Sequence, residues 1–74
     1  MKEQQYLRLL CSHEHYDEML EAIQETDFPI RSGYPYPIYG KNSQIIFWVF
    51  ELDVIYDCKN ANQRFLIEKQ EKYC

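Results

Sequence analysis

The chain has 74 residues, enough for one domain that buries only about 60% of the surface its unfolded chain exposes. A formal net charge of −4 argues against a general nucleic-acid binder, because affinity for a phosphate backbone comes largely from Lys and Arg. The cysteines Cys11, Cys58 and Cys74 are too sparse for a secreted disulfide scaffold and fit free thiols in a reducing compartment.

The start of the chain and its longest apolar run indicate neither export nor a membrane span. Met1 to Arg8 contains no basic region followed by a long apolar stretch. The run from Ile45 to Phe50 is far shorter than the ~20 residues that cross a bilayer. No repeat or Gly/Ser linker divides the sequence. We therefore expect residues 1–74 to form a single cytoplasmic domain.

A strand and a helix are the first predicted elements. Leu7, Leu9 and Cys11 alternate within residues 6–11, which predicts a strand that points these side chains toward the core. Ser12 is a good N-cap residue, and Pro29 disfavours a helical conformation for the residue before it. Apolar residues between them recur at helical spacing and predict a helix over 13–26: Tyr16, Met19, Leu20, Ala22 and Ile23.

The middle of the sequence predicts an edge segment, a turn and a central strand. The prolines and Gly33 within residues 29–39 exclude a central strand but permit an edge strand or an extended segment. A turn is expected at 40–43. Residues 44–53 are almost wholly apolar and β-branched or aromatic, which predicts a strand covered on both faces. One face carries Ile45, Phe47 and Val49, and the other Ile46, Trp48, Phe50 and Leu52.

The last third permits two interpretations. Asn60 with Gln63 three residues later resembles a capping box, and residues 61–72 are rich in helix formers. The rival is a hairpin from residues 54–56 through 59–62 into 65–67. With the favoured helix, the chain is an α+β protein of order β-α-β-β-α, with an antiparallel sheet packed by one or two helices. This order of elements resembles a truncated ferredoxin-like arrangement, which hosts many functions.

Catalytic and metal chemistry have weak candidates. Cys11, His13 and His15 alternate, and a thiolate with two imidazoles suits zinc, with Cys58 or Cys74 as a fourth ligand. A helix beginning at Ser12 would instead separate the histidines by about 200° around its axis, so we expect no metal and no cofactor.

The remaining catalytic readings are no stronger. A nucleophilic Cys/His pair lacks an evident orienting group. Glu51 and Asp53 share one face and could act as acid and base, but we expect them to end the strand in solvent. We therefore do not expect an enzyme.

The predicted first helix is strongly acidic. No Lys or Arg occurs between Arg8 and Arg31. Stability does not explain acidic residues in the later half of a helix, where the helix dipole disfavours them. Such a surface would attract a basic partner by presenting carboxylates where phosphates would lie; the alternative is a solvated face that serves solubility. The carboxylates are Glu14, Asp17, Glu18, Glu21 and Glu25.

The proline-stiffened segment around Tyr34, Tyr36 and Tyr39 is a second candidate contact. Rigid aromatic side chains are enriched at interfaces because they lose little entropy on docking. The alternative is that these tyrosines cover the central strand from an edge position.

These features favour a non-enzymatic protein–protein interaction module, a small acidic inhibitor or regulator of a basic, nucleic-acid-handling partner, of the kind that a phage or other mobile element encodes. A metal or Cys/His protein centred on Cys11, and a structural homo-oligomer subunit, are the alternatives. The helices offer little to cover Trp48 and Phe50, so we expect a second copy or a partner to cover that face. No direct contact with nucleic acid or membrane is expected.

Overall fold

The computed structural model describes residues 5–74. It confirms an α+β fold with the order β-α-β-β-α. The elements are β1 (Tyr6–Ser12), a 3-10 turn (His13–His15), α1 (Tyr16–Thr26), β2 (Tyr36–Tyr39), β3 (Ile45–Ile55) and α2 (Ala61–Tyr73).

The strands form one three-stranded sheet in the order β1-β3-β2. Both outer strands run antiparallel to β3, so β1 and β2 are parallel to each other with α1 between them in sequence. This split β-α-β unit is the element that a ferredoxin-like arrangement requires. A single bridge between Ile30 and Leu52 extends the β2 edge of the sheet. The predicted edge position of the proline-rich segment is therefore confirmed.

The strand and helix predicted at the start of the chain are both present, but their junction differs from the prediction. Leu7, Leu9 and Cys11 are at most 3% exposed, as their alternation predicted. Ser12 occupies the N-cap position of the 3-10 turn but makes no side-chain cap. Its hydroxyl instead donates to the carbonyl of Tyr73 at 3.0 Å, so it joins β1 to the end of α2.

The last third forms the predicted helix, and the rival hairpin is wrong. The side chain of Asn60 accepts a hydrogen bond from the Gln63 N–H at 3.0 Å, as an N-cap does. The reciprocal half of the capping box is absent, because the Gln63 side chain turns away. It donates to the Ile55 carbonyl at 3.0 Å and accepts from the Asp57 N–H at 2.8 Å. Gln63 is 1% exposed and ties α2 to the end of β3.

The core lies on one face of the sheet, so within residues 5–74 the helices cover only one of the two faces of β3 that we expected to be covered. Phe50 and Leu52 are fully buried beneath both helices, together with Met19, Ile23 and Leu66. Because side chains alternate along a strand, the neighbouring residues of β3 point to the other face. Among residues 5–74 no helix packs there. A one-sided sheet of this kind is common when strands are antiparallel.

The end of α2 protects the outer edge of β1. The N–H of Leu10 donates to Oε1 of Gln70 at 2.7 Å, and the carbonyl of Leu10 accepts from Sγ of Cys74 at 3.3 Å. An unpaired strand edge is a template for pairing with another chain. These side chains satisfy both backbone groups of Leu10 in the middle of the β1 edge, while the opposite edge of the sheet is interrupted by Pro37 in β2.

No helix within residues 5–74 has the length and apolar character needed to cross a membrane. Residues 1–4, which begin the segment where no export signal is expected, lie outside the described residues.

Candidate functional site: an acidic helix and an open sheet face

Helix α1 separates a buried apolar side from an exposed acidic side. Met19, Ala22 and Ile23 are at most 4% exposed and pack into the core. The acidic residues all lie outside this stripe and are largely solvent-accessible, as their spacing predicted. Together with Glu14 of the preceding 3-10 turn, we call them the acidic surface of α1, which consists of Glu14, Asp17, Glu18, Glu21 and Glu25.

The acidic surface borders a groove between α1 and α2. The groove has a volume of about 220 Å³ and is lined on the α1 side by Glu18, Glu21 and Glu25. Within residues 5–74, α2 contributes one cation to its lining, Lys69. Glu18 is engaged by Nδ1 of His15 at 2.6 Å. In the described part of the chain, Glu21 and Glu25 form no ion pair within 4.0 Å. Their carboxylates are therefore available to an external cation.

The structure does not bring the metal candidates Cys11, His13 and His15 together. Cys11 is buried in β1 with 0% exposure. His13 accepts a hydrogen bond at Nδ1 from Nε1–H of Trp48 at 2.9 Å, whereas His15 pairs with Glu18 and stacks on another ring. Residues 5–74 contain no group of three or more His, Cys, Asp or Glu side chains placed to hold a metal ion.

Cys11 is also a poor nucleophile in this environment. Burial, with smaller contributions from the negative charges of Cys74 and Glu18, raises the pKa of the Cys11 thiol to about 11. The thiolate is the reactive form of cysteine. At neutral pH, Cys11 is therefore an inert member of the core.

We expect alkylation to distinguish the cysteines. At pH 8, iodoacetamide should modify the exposed residues Cys58 and Cys74 and leave Cys11 unmodified, as read by mass spectrometry of peptides. Because the pKa of Cys11 is raised, its modification should increase only as the pH approaches 11 or when denaturant exposes it. Rapid modification of Cys11 in the native protein at pH 8 would contradict its placement in the core.

The tyrosine segment contributes to the face of the sheet opposite the helices. Tyr36 pairs with Val49 of β3, and its ring centroid lies 5.4 Å from that of Tyr34. Tyr36 is 39% exposed, and Tyr39, which is 60% exposed, lies at the end of the strand. The edge-packing interpretation thus describes Tyr34 and Tyr36, while their remaining exposed area leaves the interface interpretation as a prediction.

We call this surface the open face and define it by the alternation and pairing of the strands. Its apolar half consists of two cross-strand rows, Ser12–Phe47–Ile38 and Leu10–Val49–Tyr36. Val49, in the centre of the second row, is 5% exposed although it does not belong to the main core cluster. The side chains of the flanking strands therefore cover it without help from a helix.

A charged network adjoins the apolar rows and corrects the prediction that Glu51 ends the strand in solvent. The Glu51 side chain is 12% exposed and contacts Arg8 at 3.3 Å and Arg31 at 2.8 Å. Arg31 also lies over the ring of Tyr6, 3.9 Å from its centroid. Arg8 donates to the hydroxyl of Tyr34 at 3.2 Å. Asp53, as expected, remains exposed.

The sequence prediction missed this network for a physical reason. Arg8 faces Glu51 only through the register of β1 on β3, and Arg31 reaches it from the segment preceding β2. The signal that was available is Arg8 on the face of β1 opposite Leu7 and Leu9, since a charged side chain there indicates the side without core.

The predicted oligomer interface at Trp48 and Phe50 lies on the helix side of the sheet, where Phe50 is not available to a second copy. Phe50 is fully buried because both helices pack over it, with Tyr16 stacked at 5.8 Å between ring centroids. Trp48 is half-buried: its ring centroid lies 4.6 Å from that of Tyr16, and its Nε1–H donates a hydrogen bond to His13. The exposed apolar side chains of the sheet lie mainly on the open face, and Ile46 is an exception on the helix side.

No known protein family matches the chain, and no curated protein or solved structure does so either.

Proposed function

We propose that this chain is a non-enzymatic protein–protein interaction module that binds a partner with a basic surface through the acidic surface of α1. The observation that carries the proposal is the pair Glu21 and Glu25, exposed beside the groove and without an ion pair in the described residues. A helix gains no stability from carboxylates in its later half, so a role in binding accounts for them better than a role in folding.

The proposed partner is a nucleic-acid-handling protein, and the proposed action is inhibition or regulation. Carboxylates spaced along a helix can occupy the positions where such a protein binds the phosphates of a nucleic acid. Their negative charge accelerates association and favours basic partners. The free cysteines support a reducing location, so we place this action in the cytoplasm. A phage or other mobile element is a fitting source for an inhibitor of this size and charge.

A fluorescently labelled peptide of alternating lysine and arginine provides a direct test. Reversing Glu21→Lys and Glu25→Lys together should weaken its binding by about tenfold or more, which corresponds to ~1.4 kcal/mol, because two attractions become repulsions. Fluorescence anisotropy at low ionic strength measures the affinity, and rising salt should reduce the wild-type affinity.

The matched control is the double reversal Glu68→Lys and Glu71→Lys. Both residues are exposed on α2, so this variant changes the net charge by the same amount without changing α1. It should bind the peptide much more tightly than the α1 variant does. Equal losses in the two variants would show that binding follows overall charge, and the acidic surface of α1 would then not be the contact.

A further inference from the structure

We propose that the open face is the interface of a homodimer in which two copies pack sheet against sheet with their helices outside. The face carries exposed apolar side chains on both outer strands and at the end of β3, and within residues 5–74 no helix covers them. Tyr6, Tyr36, Ile38 and Ile55 are 37–39% exposed. Tyr36 and Ile38 adjoin the half-buried Phe47 and Leu10 in the apolar rows. Tyr6 and Ile55 pair with each other beyond the Arg8–Glu51 pair, so apolar side chains flank the charged network at both ends.

Charge identifies a second copy as the occupant. The described side chains of the open face that are charged at neutral pH are Arg8, Arg31, Glu51 and Asp53, two cations and two anions, so the face is neutral in a chain of net charge −4. A nucleic acid would find no surplus of positive charge for its phosphates, and a basic protein would find no surplus of negative charge. A face that balances both signs is complementary to a copy of itself in a two-fold, isologous contact.

The acidic surface of α1 also favours this orientation. Both helices pack on the side of the sheet opposite the open face. When two open faces meet, the acidic helices lie on the outer surfaces of the dimer, separated by both sheets. This separation exceeds the Debye length of about 8 Å at physiological ionic strength, so repulsion between the copies is largely screened. The acidic surfaces also stay free for a basic partner, and the dimer does not depend on that proposed function.

Exposed charges of the network can then pair between copies. The Arg8 side chain is 58% exposed although it contacts Glu51, and Asp53 lies two residues further along β3. A recess of about 390 Å³ lined by Gln5, Tyr6, Arg8 and Glu51 offers space for a side chain of the opposite copy. Packing of the apolar rows would provide the main stabilisation, and the charged network would fix the orientation.

Two isoleucines of similar exposure on opposite faces of the sheet provide the test. Ile38 is 37% exposed on the open face, and Ile46 is 43% exposed on the helix side of β3. Sedimentation velocity at about 100 μM, where a dimer with a micromolar Kd is populated, should show a dimer for the wild type and for Ile46→Glu. Ile38→Glu should be a monomer, with unchanged far-ultraviolet circular dichroism.

If Ile38→Glu fails to fold, Tyr36→Glu on the adjacent row serves as the second open-face variant. A wild-type monomer at this concentration would overturn the proposal. A dimer that persists in a folded open-face variant, or that is lost equally in Ile46→Glu, would also overturn it, because the contact would then lie elsewhere.

Discussion

Phe50→Ala should lower the free energy of unfolding by about 3–5 kcal/mol, the range for removing a fully buried aromatic side chain. Phe50 has no exposed surface and stacks on Tyr16 of α1, so its loss leaves a cavity between the sheet and both helices. A domain of this length has a total stability of only about 4–11 kcal/mol. Urea denaturation followed by Trp48 fluorescence should therefore show a variant near the limit of folding.

Phe47→Ala is the matched control, because Phe47 is an aromatic residue on the same strand but on the open face. Its half-buried ring lies on the side of the sheet opposite both helices. Removing it should therefore lower the free energy of unfolding by less than half as much as removing the Phe50 ring does. Equal losses in the two variants would contradict a core confined to the helix side of the sheet.

Gln63→Ala should lower the free energy of unfolding by about 2–3 kcal/mol, less than Phe50→Ala does. The side chain is 1% exposed. It donates a hydrogen bond to the carbonyl of Ile55 and accepts one from the N–H of Asp57. Removing the side chain leaves both backbone groups without this hydrogen-bond partner and also removes packing. Each buried group left unpaired lowers the free energy of unfolding by about 1–3 kcal/mol, and hydrogen bonds from water reduce this loss where water can enter. Thermal unfolding by circular dichroism measures the loss.

Two further variants isolate the cause. Asn62→Ala, on the exposed side of the same turn of α2, should change stability little. Gln63→Glu keeps an acceptor for Asp57 but cannot donate to Ile55 when ionised, so it should be destabilised at pH 7 and partly restored at acidic pH, where the carboxyl group regains a donor. If Gln63→Ala were as stable as Asn62→Ala, the hydrogen bonds of Gln63 between α2 and the end of β3 would not stabilise the fold.

The order of elements followed from the sequence because each element has its own local signal, a hydrophobic period in β1 and α1 and residue composition in β2, β3 and α2. Leu7, Leu9 and Cys11 alternate, the apolar residues of α1 recur at helical spacing, and prolines restrict β2 to an edge. The acidic surface of α1 followed from the same helical spacing, because a helix with one buried stripe exposes everything else.

The sequence did not predict which face of β3 packs against the core, because both faces of this strand are apolar. The contribution of α2 was underestimated: besides Leu66 it buries Gln63, a polar side chain whose hydrogen bonds are visible only in the fold. Val49 has no helix above it and is nevertheless covered by its cross-strand neighbours. The network around Glu51 depends on strand register, which hydrophobic pattern alone does not specify when both faces are apolar.

The most direct test of the interaction proposal is affinity capture from the native host with quantitative mass spectrometry. The wild type, the Glu21→Lys/Glu25→Lys variant and the Glu68→Lys/Glu71→Lys control would be compared in parallel. We predict that the wild type and the control capture the same protein with a basic, nucleic-acid-handling surface, and that the α1 variant loses it. Undiminished capture by the α1 variant would contradict the assignment of the acidic surface of α1 as the contact.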